Sequence, residues 1–332
     1  MKVIIDAYGG DNAPLEIVKG AALAVKEYGV EVVLCGKEQE LEELMAAEDI
    51  SFNGITFVDA PLVMPVEADP TEILKAYDES SMAVGMKLLA DGGGDAFVTA
   101  GSTGAAVVGA TLIVKRIKGI RRPAIATVIP SSTGNYMLMD AGANAECRPE
   151  MLAQFGIMGS IYMERLMGIE SPRVAMINIG AEENKGLDLQ IDASKILREA
   201  PVNFIGNVEA RELPLGGCDV AVTDGFTGNV VLKLTEGMGK MLMNELRAIF
   251  LKSFKTKLAA SFLMSGVKAF RRRMDYTEYG GAPLMGICKP VIKAHGSSNA
   301  QAIKNAVRQA KMVHDKNVIA EITAALQNIS KE

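Results

Sequence analysis

Short apolar runs recur along the chain, and between them lie longer stretches in which apolar positions return every three or four residues. The short runs are Val3-Ile4-Ile5, Val30 to Leu34, Ala96-Phe97-Val98, Ala124 to Ile129, Val174 to Ile177, Asn203-Phe204-Ile205 and Val220-Ala221-Val222. Their β-branched content predicts strands, and their near-continuous apolarity predicts strands buried on both faces. Strand alternating with helix gives an α/β fold: an open, mainly parallel sheet with helices on both faces. No Pro/Ser-rich linker, repeat or low-complexity tract divides the chain, so residues 1–332 read as a single α/β domain.

Several strands run into glycine-rich turns that open helical patterns. Asp6-Ala7-Tyr8-Gly9-Gly10-Asp11, Thr99-Ala100-Gly101-Ser102-Thr103-Gly104 and Thr223-Asp224-Gly225-Phe226-Thr227-Gly228-Asn229 are the clearest. A turn of this kind at a helix N-terminus presents unpaired N–H groups and the positive end of the helix dipole, which suits an anion. One such turn is ordinarily a tight connection; three point to bound phosphate. No G-x-G-x-x-G follows a strand, and Gly237-Met238-Gly239-Lys240 lies inside a helical pattern, so a dinucleotide or ATP is disfavoured.

Composition narrows the classes further. With 49% hydrophobic and 23% charged residues there is ample core material, whereas a net charge of −5, 5% aromatics and no Trp argue against a nucleic-acid partner. A charge arrives too early in Met1-Lys2-Val3-Ile4-Ile5-Asp6 for a secretory signal, and no apolar stretch is long enough to span a bilayer, so a cytoplasmic protein is expected. Cys35, Cys147, Cys218 and Cys288 are far apart with no C-x-x-C, the pattern of reduced thiols.

One segment breaks the acidic balance. After a helical pattern from about Thr227 to Phe250, residues 252–274 carry Lys252, Lys255, Lys257, Lys268, Arg271, Arg272 and Arg273 and no acid. Phe254, Leu258 and Phe262 share one helical face, and Leu263, Val267 and Phe270 lie on another. A break at Ser265-Gly266 would reconcile the two faces as a protruding hairpin of two short helices with Leu263 and Met264 at its tip. Lys255, Leu258, Phe262, Leu263, Met264, Arg271 and Arg272 are the expected contacts to membrane or an acidic protein.

The turns, taken in order, resemble the bacterial phosphate acyltransferases of phospholipid synthesis. The matching pieces include Asp6 to Asp11 with Ala13-Pro14, Ser80-Ser81-Met82, Ala100 to Ala105, Asp140-Ala141-Gly142-Ala143-Asn144, Asn178-Ile179-Gly180 and Glu183-Asn184-Lys185-Gly186. Gly206-Asn207 with Glu209, Asp224 to Asn229, Tyr279 to Leu284 and His295-Gly296-Ser297-Ser298 continue the series nearly end to end. Tyr8, Ser102, Ala141 and the weakly basic Lys75-Ala76-Tyr77-Asp78-Glu79 depart from the family's usual Met, Asn, Val and more basic lead-in.

The resemblance implies a phosphotransacetylase/isocitrate dehydrogenase-like fold, usually a homodimer. It implies transfer of a long-chain acyl group from acyl carrier protein to inorganic phosphate; no cofactor is expected, and no ligand spacing among the aspartates marks a metal site. A place on the inner face of the membrane, beside a downstream membrane acyltransferase, goes with it. Phosphate already carries nucleophilic oxygens, so the chemistry asks for orientation and oxyanion stabilisation, not a triad. Lys185, Asn229 and His295 are the expected catalytic residues. Gly9, Gly10, Asp11, Gly101, Ser102, Thr103, Gly104, Asn144, Asn178, Asn207, Asp224, Thr227 and Ser297 are the expected substrate contacts. Asp6, Asp11, Asp140 and Asp224 read as loop organisers, because a carboxylate facing phosphate repels it. His314 reads as a solvated or packed helix residue. A short-chain phosphotransacetylase and a non-catalytic phosphate-binding scaffold at the membrane are the alternatives.

Overall fold

A computed structural model describes residues 1–274 and 280–329. Its strands are β1 (Lys2–Asp6), β2 (Glu31–Gly36), β3 (Ile55–Asp59), β4 (Ala96–Thr99), β5 (Ala124–Ser131), β6 (Gly134–Met139), β7 (Arg173–Asn178), β8 (Asn203–Glu209), β9 (Val220–Val222), β10 (Ala282–Met285) and β11 (Val291–Lys293). All seven expected runs are strands. β3, β6, β10 and β11 complete the set, and the last two are short segments, one of them carrying Pro283, with little periodic signal. The helices are α1 (Leu15–Tyr28), α2 (Glu38–Ala47), α3 (Ser81–Ala90), α4 (Thr103–Gly109, widening into a π turn over Ala110–Lys115), α5 (Pro149–Met167) and α6 (Asp188–Glu199). They continue with α7 (Gly225–Leu251), α8 (Phe254–Met274), α9 (Ala300–Asp315) and α10 (Val318–Ile329).

One sheet of 11 strands holds them, in the order β3-β2-β1-β4-β11-β10-β5-β6-β9-β7-β8. β3, β2, β1, β4 and β11 are parallel to one another, as are β6, β9, β7 and β8. Between the two sets lie successive antiparallel pairs, β11 with β10, β10 with β5, and β5 with β6. An odd number of reversals makes the two parallel sets run in opposite directions, so their carboxyl ends point toward opposite edges. The joint is short: only Leu284 with Ile125 and Met285 with Ala124 pair across it. Met139, opposite Ala126, and Lys293, opposite Ala282, therefore end up at almost the same height along the sheet. The two sets are staggered like a step, and both carboxyl edges face that step.

Apolar packing covers both faces, as the strand pattern requires. Ile4, Phe97, Ile125, Tyr136 and Ala221 belong to one buried cluster that continues across the joint. On the other face, Ile303 and Val307 of α9 join Val3, Ile5 and Val98, while Phe155 and Tyr162 of α5 join Met137, Val174 and Val220.

The basic segment differs from expectation. α8 is one helix through Ser265-Gly266, and the turn of the hairpin lies at Lys252-Ser253, where α7 hands over to α8. Gly266 meets nothing that would force a break, and a lone glycine costs a helix only about 1 kcal/mol. Leu263 therefore sits mid-helix and not at a tip. Phe254, Leu258, Phe262 and Leu263 are 82%, 55%, 81% and 57% exposed, and Lys255 is exposed beside them. The side chains of Met264, Arg271 and Arg272, and all of Tyr279, lie outside the described residues.

The seat of α7 supplies a stability test. A Cβ on Gly228 would stand 1.9 Å from the Asp140 carbonyl oxygen, whereas one on Gly237, farther along the same helix, would meet nothing. Gly228→Ala should destabilise by about 3 kcal/mol or more, and Gly237→Ala should stabilise by up to ~1 kcal/mol. Thermal denaturation of the two variants checks the contrast; equal shifts would contradict it.

Candidate active site

The turns after β1 and β4 are welded together. Asp6 is buried and its carboxylate accepts from Ser81 Oγ at 2.6 Å and Thr99 Oγ1 at 2.7 Å, while Gly101 N donates to Thr99 Oγ1 at 3.0 Å. Burial raises the Asp6 pKa against the lowering effect of those hydrogen bonds. Gly9 fits because a Cβ there would lie 2.5 Å from Asp6 Oδ2 and 2.7 Å from Gly101 N. Asp11 N donates to Gly296 O at 2.8 Å and so ties this turn to the His295 turn. Gly9, Gly10, Asp11 and Gly101 line a small hollow of about 190 Å³ beside the main cleft, under Val63 to Val66.

The cleft, about 580 Å³, occupies the step between the two strand sets. Thr103 and Gly104 bring the N-terminus of α4 to it, and Asn144, Asn229, His295 and Ser298 join them. Ser102 is the N-cap of α4 and makes no side-chain cap bond, so the first N–H groups of that helix are not taken by it. Arg122, Lys233 and Lys293 also line the cleft, and the one carboxylate lining it among the described residues, Glu236, is paired with Lys233 at 2.8 Å. Val107, Val108, Ile125, Val128 and Leu232 give the cavity an apolar side.

Lys293, at the end of β11, is buried, and its ammonium donates to Ala100 O at 3.2 Å and to Ala294 O. Those two acceptors leave one of its three N–H groups for a ligand. Desolvation pulls its pKa down to about 8, with Asp6 and Asp11 acting in the opposite direction and Lys233 adding to the fall. His295 is lowered from its ordinary value too, first by desolvation and then by Lys233. Ser297 N–H donates to His295 Nδ1 at 3.2 Å, so the neutral ring carries its proton on Nε2.

α7 starts against this wall for a local reason. Asp224 caps it, accepting from Thr227 N and Thr227 Oγ1, both at 2.8 Å. Gly225 and Gly228 let its first turn rest on residues 140–144; a Cβ on Gly225 would come within 2.6 Å of Asn144 O. That seat turns Asn229 into the cleft, while Thr227 and Asp224 belong to the cap and are not among the lining residues. The loop beneath is organised by buried Asp140, which accepts from the backbone N–H groups of Ile125, Gly142, Ala143 and Asn144 and from Asn144 Nδ2. Asn144 spends its other amide proton on Pro123 O at 2.7 Å and keeps only its carbonyl oxygen for the cleft. It is therefore unfit to polarise a substrate carbonyl.

Of the three expected catalytic residues, Asn229 and His295 line the cleft and Lys185 does not. Lys185, Asn178 and Asn207 lie at the β7–β8 end and are not among the residues lining either cavity. Their amides hold that loop instead: Asn178 Nδ2 donates to Lys185 O at 2.9 Å and Asn207 Nδ2 to Glu182 O at 2.8 Å. Ser297 likewise turns its hydroxyl to His295 at 2.9 Å, and its neighbour Ser298 lines the cleft. The sequence reading missed Arg122, Lys233, Lys293 and Ser298. The available signals were a lysine closing the apolar run Val291-Ile292-Lys293 two residues before His295, and Lys233 one helical turn past Asn229. His314 is surface-placed, its Nδ1 3.1 Å from Asp315.

Residues 1–321 match the family model described as fatty acid synthesis protein. The phosphate acyltransferase of Alkaliphilus oremlandii is 46% identical over 332 residues, covering 100% of this chain and 99% of that one. That of Clostridium botulinum is 41% identical over 330 residues, covering 99% and 98%. Among solved structures, a phosphotransacetylase from Streptococcus pyogenes superposes with a TM-score of 0.66 at 18% identity, covering 96% and 94%. A 4-hydroxythreonine-4-phosphate dehydrogenase from Klebsiella pneumoniae gives 0.53 at 15%, covering 95% and 99%. At those identities the solved structures speak for the fold alone.

The cleft geometry implies a ranking of cations. Lys293→Met should weaken binding of inorganic phosphate by about 10- to 100-fold, the worth of one charge-assisted hydrogen bond, and Lys185→Ala should leave it nearly unchanged. The ammonium is the binding form, so affinity should fall as pH rises through the Lys293 pKa of about 8, and that limb should vanish in Lys293→Met. Calorimetric titration across pH reads both; a larger loss in Lys185→Ala would reverse the ranking.

Proposed function

The chain belongs to the fatty acid synthesis protein family of phosphate acyltransferases, and on that premise we propose that it takes a long-chain acyl group from acyl carrier protein. Transfer of an acyl group to phosphate is the family's activity, and this chain is an acyltransferase. The observation that carries the finer reading is the composition of one cleft, which joins cations and a helix N-terminus on one side to Val107, Val108 and Leu232 on the other. Phosphate takes the charged side, against Lys293 and the first N–H groups of α4. The acyl chain takes the apolar side, and the thioester carbonyl lies between.

A phosphate oxygen attacks the thioester carbon; the new C–O bond forms, the C–S bond breaks, and the carrier's thiolate leaves and is protonated. The His295 Nε2–H and the Asn229 amide are the donors placed to stabilise the oxyanion. Neutrality of His295 suits it to donate a hydrogen bond without adding a charge that would trap the phosphate. A covalent acyl-enzyme is not needed. Burial pushes the thiols of Cys35, Cys147 and Cys218 up to about 12, which leaves them poor nucleophiles.

We assign the α7–α8 hairpin to contacts outside the chain. The Phe254, Leu258 and Phe262 stripe with Lys255 and Lys257 supports adsorption to the anionic inner face of the membrane, each cation adding about 1 kcal/mol. The exposed face of α7, with Phe226, Val230 and Leu234, supports pairing with a second copy. No described helix is long and apolar enough to cross a membrane.

Purified protein given acyl-acyl carrier protein and phosphate should make acyl phosphate with intersecting initial-rate patterns. Ping-pong kinetics or an isolated acyl-serine or acyl-cysteine would overturn direct transfer. In vesicle flotation, the pair Phe254→Glu and Phe262→Glu should release the protein from anionic liposomes with its turnover of acyl-carrier protein retained. Failure of the unmodified protein to float would remove the membrane assignment.

A further inference from the structure

Residues 115–122 read Lys-Arg-Ile-Lys-Gly-Ile-Arg-Arg, with five cations and no acid in a protein whose net charge is −5. All five, Lys115, Arg116, Lys118, Arg121 and Arg122, are exposed, and none of them makes an ion pair among the described residues. Like charges this dense repel one another, so a chain that keeps them together and unpaired stores a demand for an acidic partner.

The segment is held rigidly. Ile117 and Ile120 are buried in the core beneath it, Ile117 N donates to Gly286 O at 2.9 Å, and Cys288 N donates to Lys115 O at 3.0 Å. Gln154 of α5 clamps it from below, donating to Gly119 O at 2.9 Å and accepting from Arg121 N at 3.0 Å. The guanidinium of Arg116 closes the turn on the carbonyls of Ile120 and Arg121, and Gly119 supplies the left-handed backbone at φ 97°. The apolar residues face inward and the charges outward, which is a platform and not a loose loop.

Its position is what gives the platform a use. The chain leaves the cleft wall at Thr111 and returns to it at Arg122 and Pro123, so the basic segment borders the cleft at its Arg122 end. Leu112, 57% exposed, adds an apolar spot beside the cations. We propose that this rim is the surface on which an acidic acyl carrier protein docks to deliver its thioester into the cleft. The proposal rests on the acyl-carrier reading above, and it moves the carrier from the α7–α8 hairpin, expected from sequence, to the cleft mouth. The physical reason is reach: a thioester on a short prosthetic arm enters a cleft only if its carrier sits at the opening. Electrostatic docking of this kind acts on encounter rate and salt dependence more than on the chemistry.

The test is a charge reversal, Lys118→Glu with Arg121→Glu, outside the residues that line the cleft. At low salt the KM for acyl-carrier protein should rise roughly tenfold or more and lose most of its salt dependence. The KM for phosphate, and turnover of a carrier-free pantetheine thioester with the same acyl chain, should stay unchanged. The companion variant Lys255→Glu with Lys257→Glu should leave the KM for acyl-carrier protein where it was. Unchanged carrier KM in the rim variant overturns the proposal, as does equal damage to both thioesters. Loss of vesicle binding by the rim variant with carrier KM retained would give the rim to the membrane and also overturn it. If the unmodified protein turns over the carrier-free thioester but not acyl-carrier protein, the donor reading itself fails and takes this proposal with it, a result visible before any variant is made.

Discussion

The carboxylate of Asp140 is the point on which the cleft depends. It is buried at the end of β6 and accepts five hydrogen bonds, four from backbone N–H groups of Ile125, Gly142, Ala143 and Asn144 and one from the Asn144 amide. Burial raises its pKa despite them. A buried carboxylate is costly unless its lone pairs are satisfied, and here the satisfying donors are the loop itself, so the loop and the charge stabilise one another. The Ile125 bond also reaches into the two-pair joint with β10, the narrow place where the halves of the sheet meet. α7 then rests on this loop through Gly225 and Gly228, and its position decides where Asn229 and Lys233 stand.

The same economy recurs on the facing wall with opposite consequences for charge. Asp6 is bound by hydroxyls of Ser81 and Thr99, and Thr99 receives Gly101 N, so the β1 and β4 turns are fixed before any ligand arrives. Lys293 is held against the carbonyl of Ala100 within the field of Asp6. Neither charge is free to relax, and an anion entering the cleft completes a set of donors that the fold has already oriented. Preorganisation of this kind suits transfer of an acyl group to phosphate, because donors already fixed need not reorganise as charge develops.

The division of labour among the glycine-rich motifs follows from packing. In Asp224 to Asn229, the aspartate and threonine build a helix cap, two glycines admit a neighbouring backbone, and one residue, Asn229, is left to face the cleft. In Asn178 and Asn207, by contrast, the polar side chains close their own loop. Motifs of similar composition thus line the cleft in one place and close a turn in another, and exposed charge is just as unevenly spread, with Lys115, Arg116, Lys118, Arg121 and Arg122 side by side and without an ion pair among the described residues.

Sequence alone determined the alternation of strand and helix, the parallel character of most of the sheet, the family, and the turns at which a site had to form, because these depend on local periodicity and short-range turn chemistry. Thr103, Gly104, Asn229 and His295 were among the expected site residues, and all four line one cleft. The continuity of α8 through Ser265-Gly266 was decided by the cost of a single glycine being small beside a hairpin partner in α7. Only the tertiary structure decided that Lys185 stands apart from the cleft while Lys293, Lys233 and Arg122 surround it. The reversal of strand direction at β11, β10, β5 and β6 places the two carboxyl edges against each other, and that reversal is completed by the β10–β5 pairing between segments far apart in sequence, in a stretch where β10 and β11 are too short to leave a periodic signal.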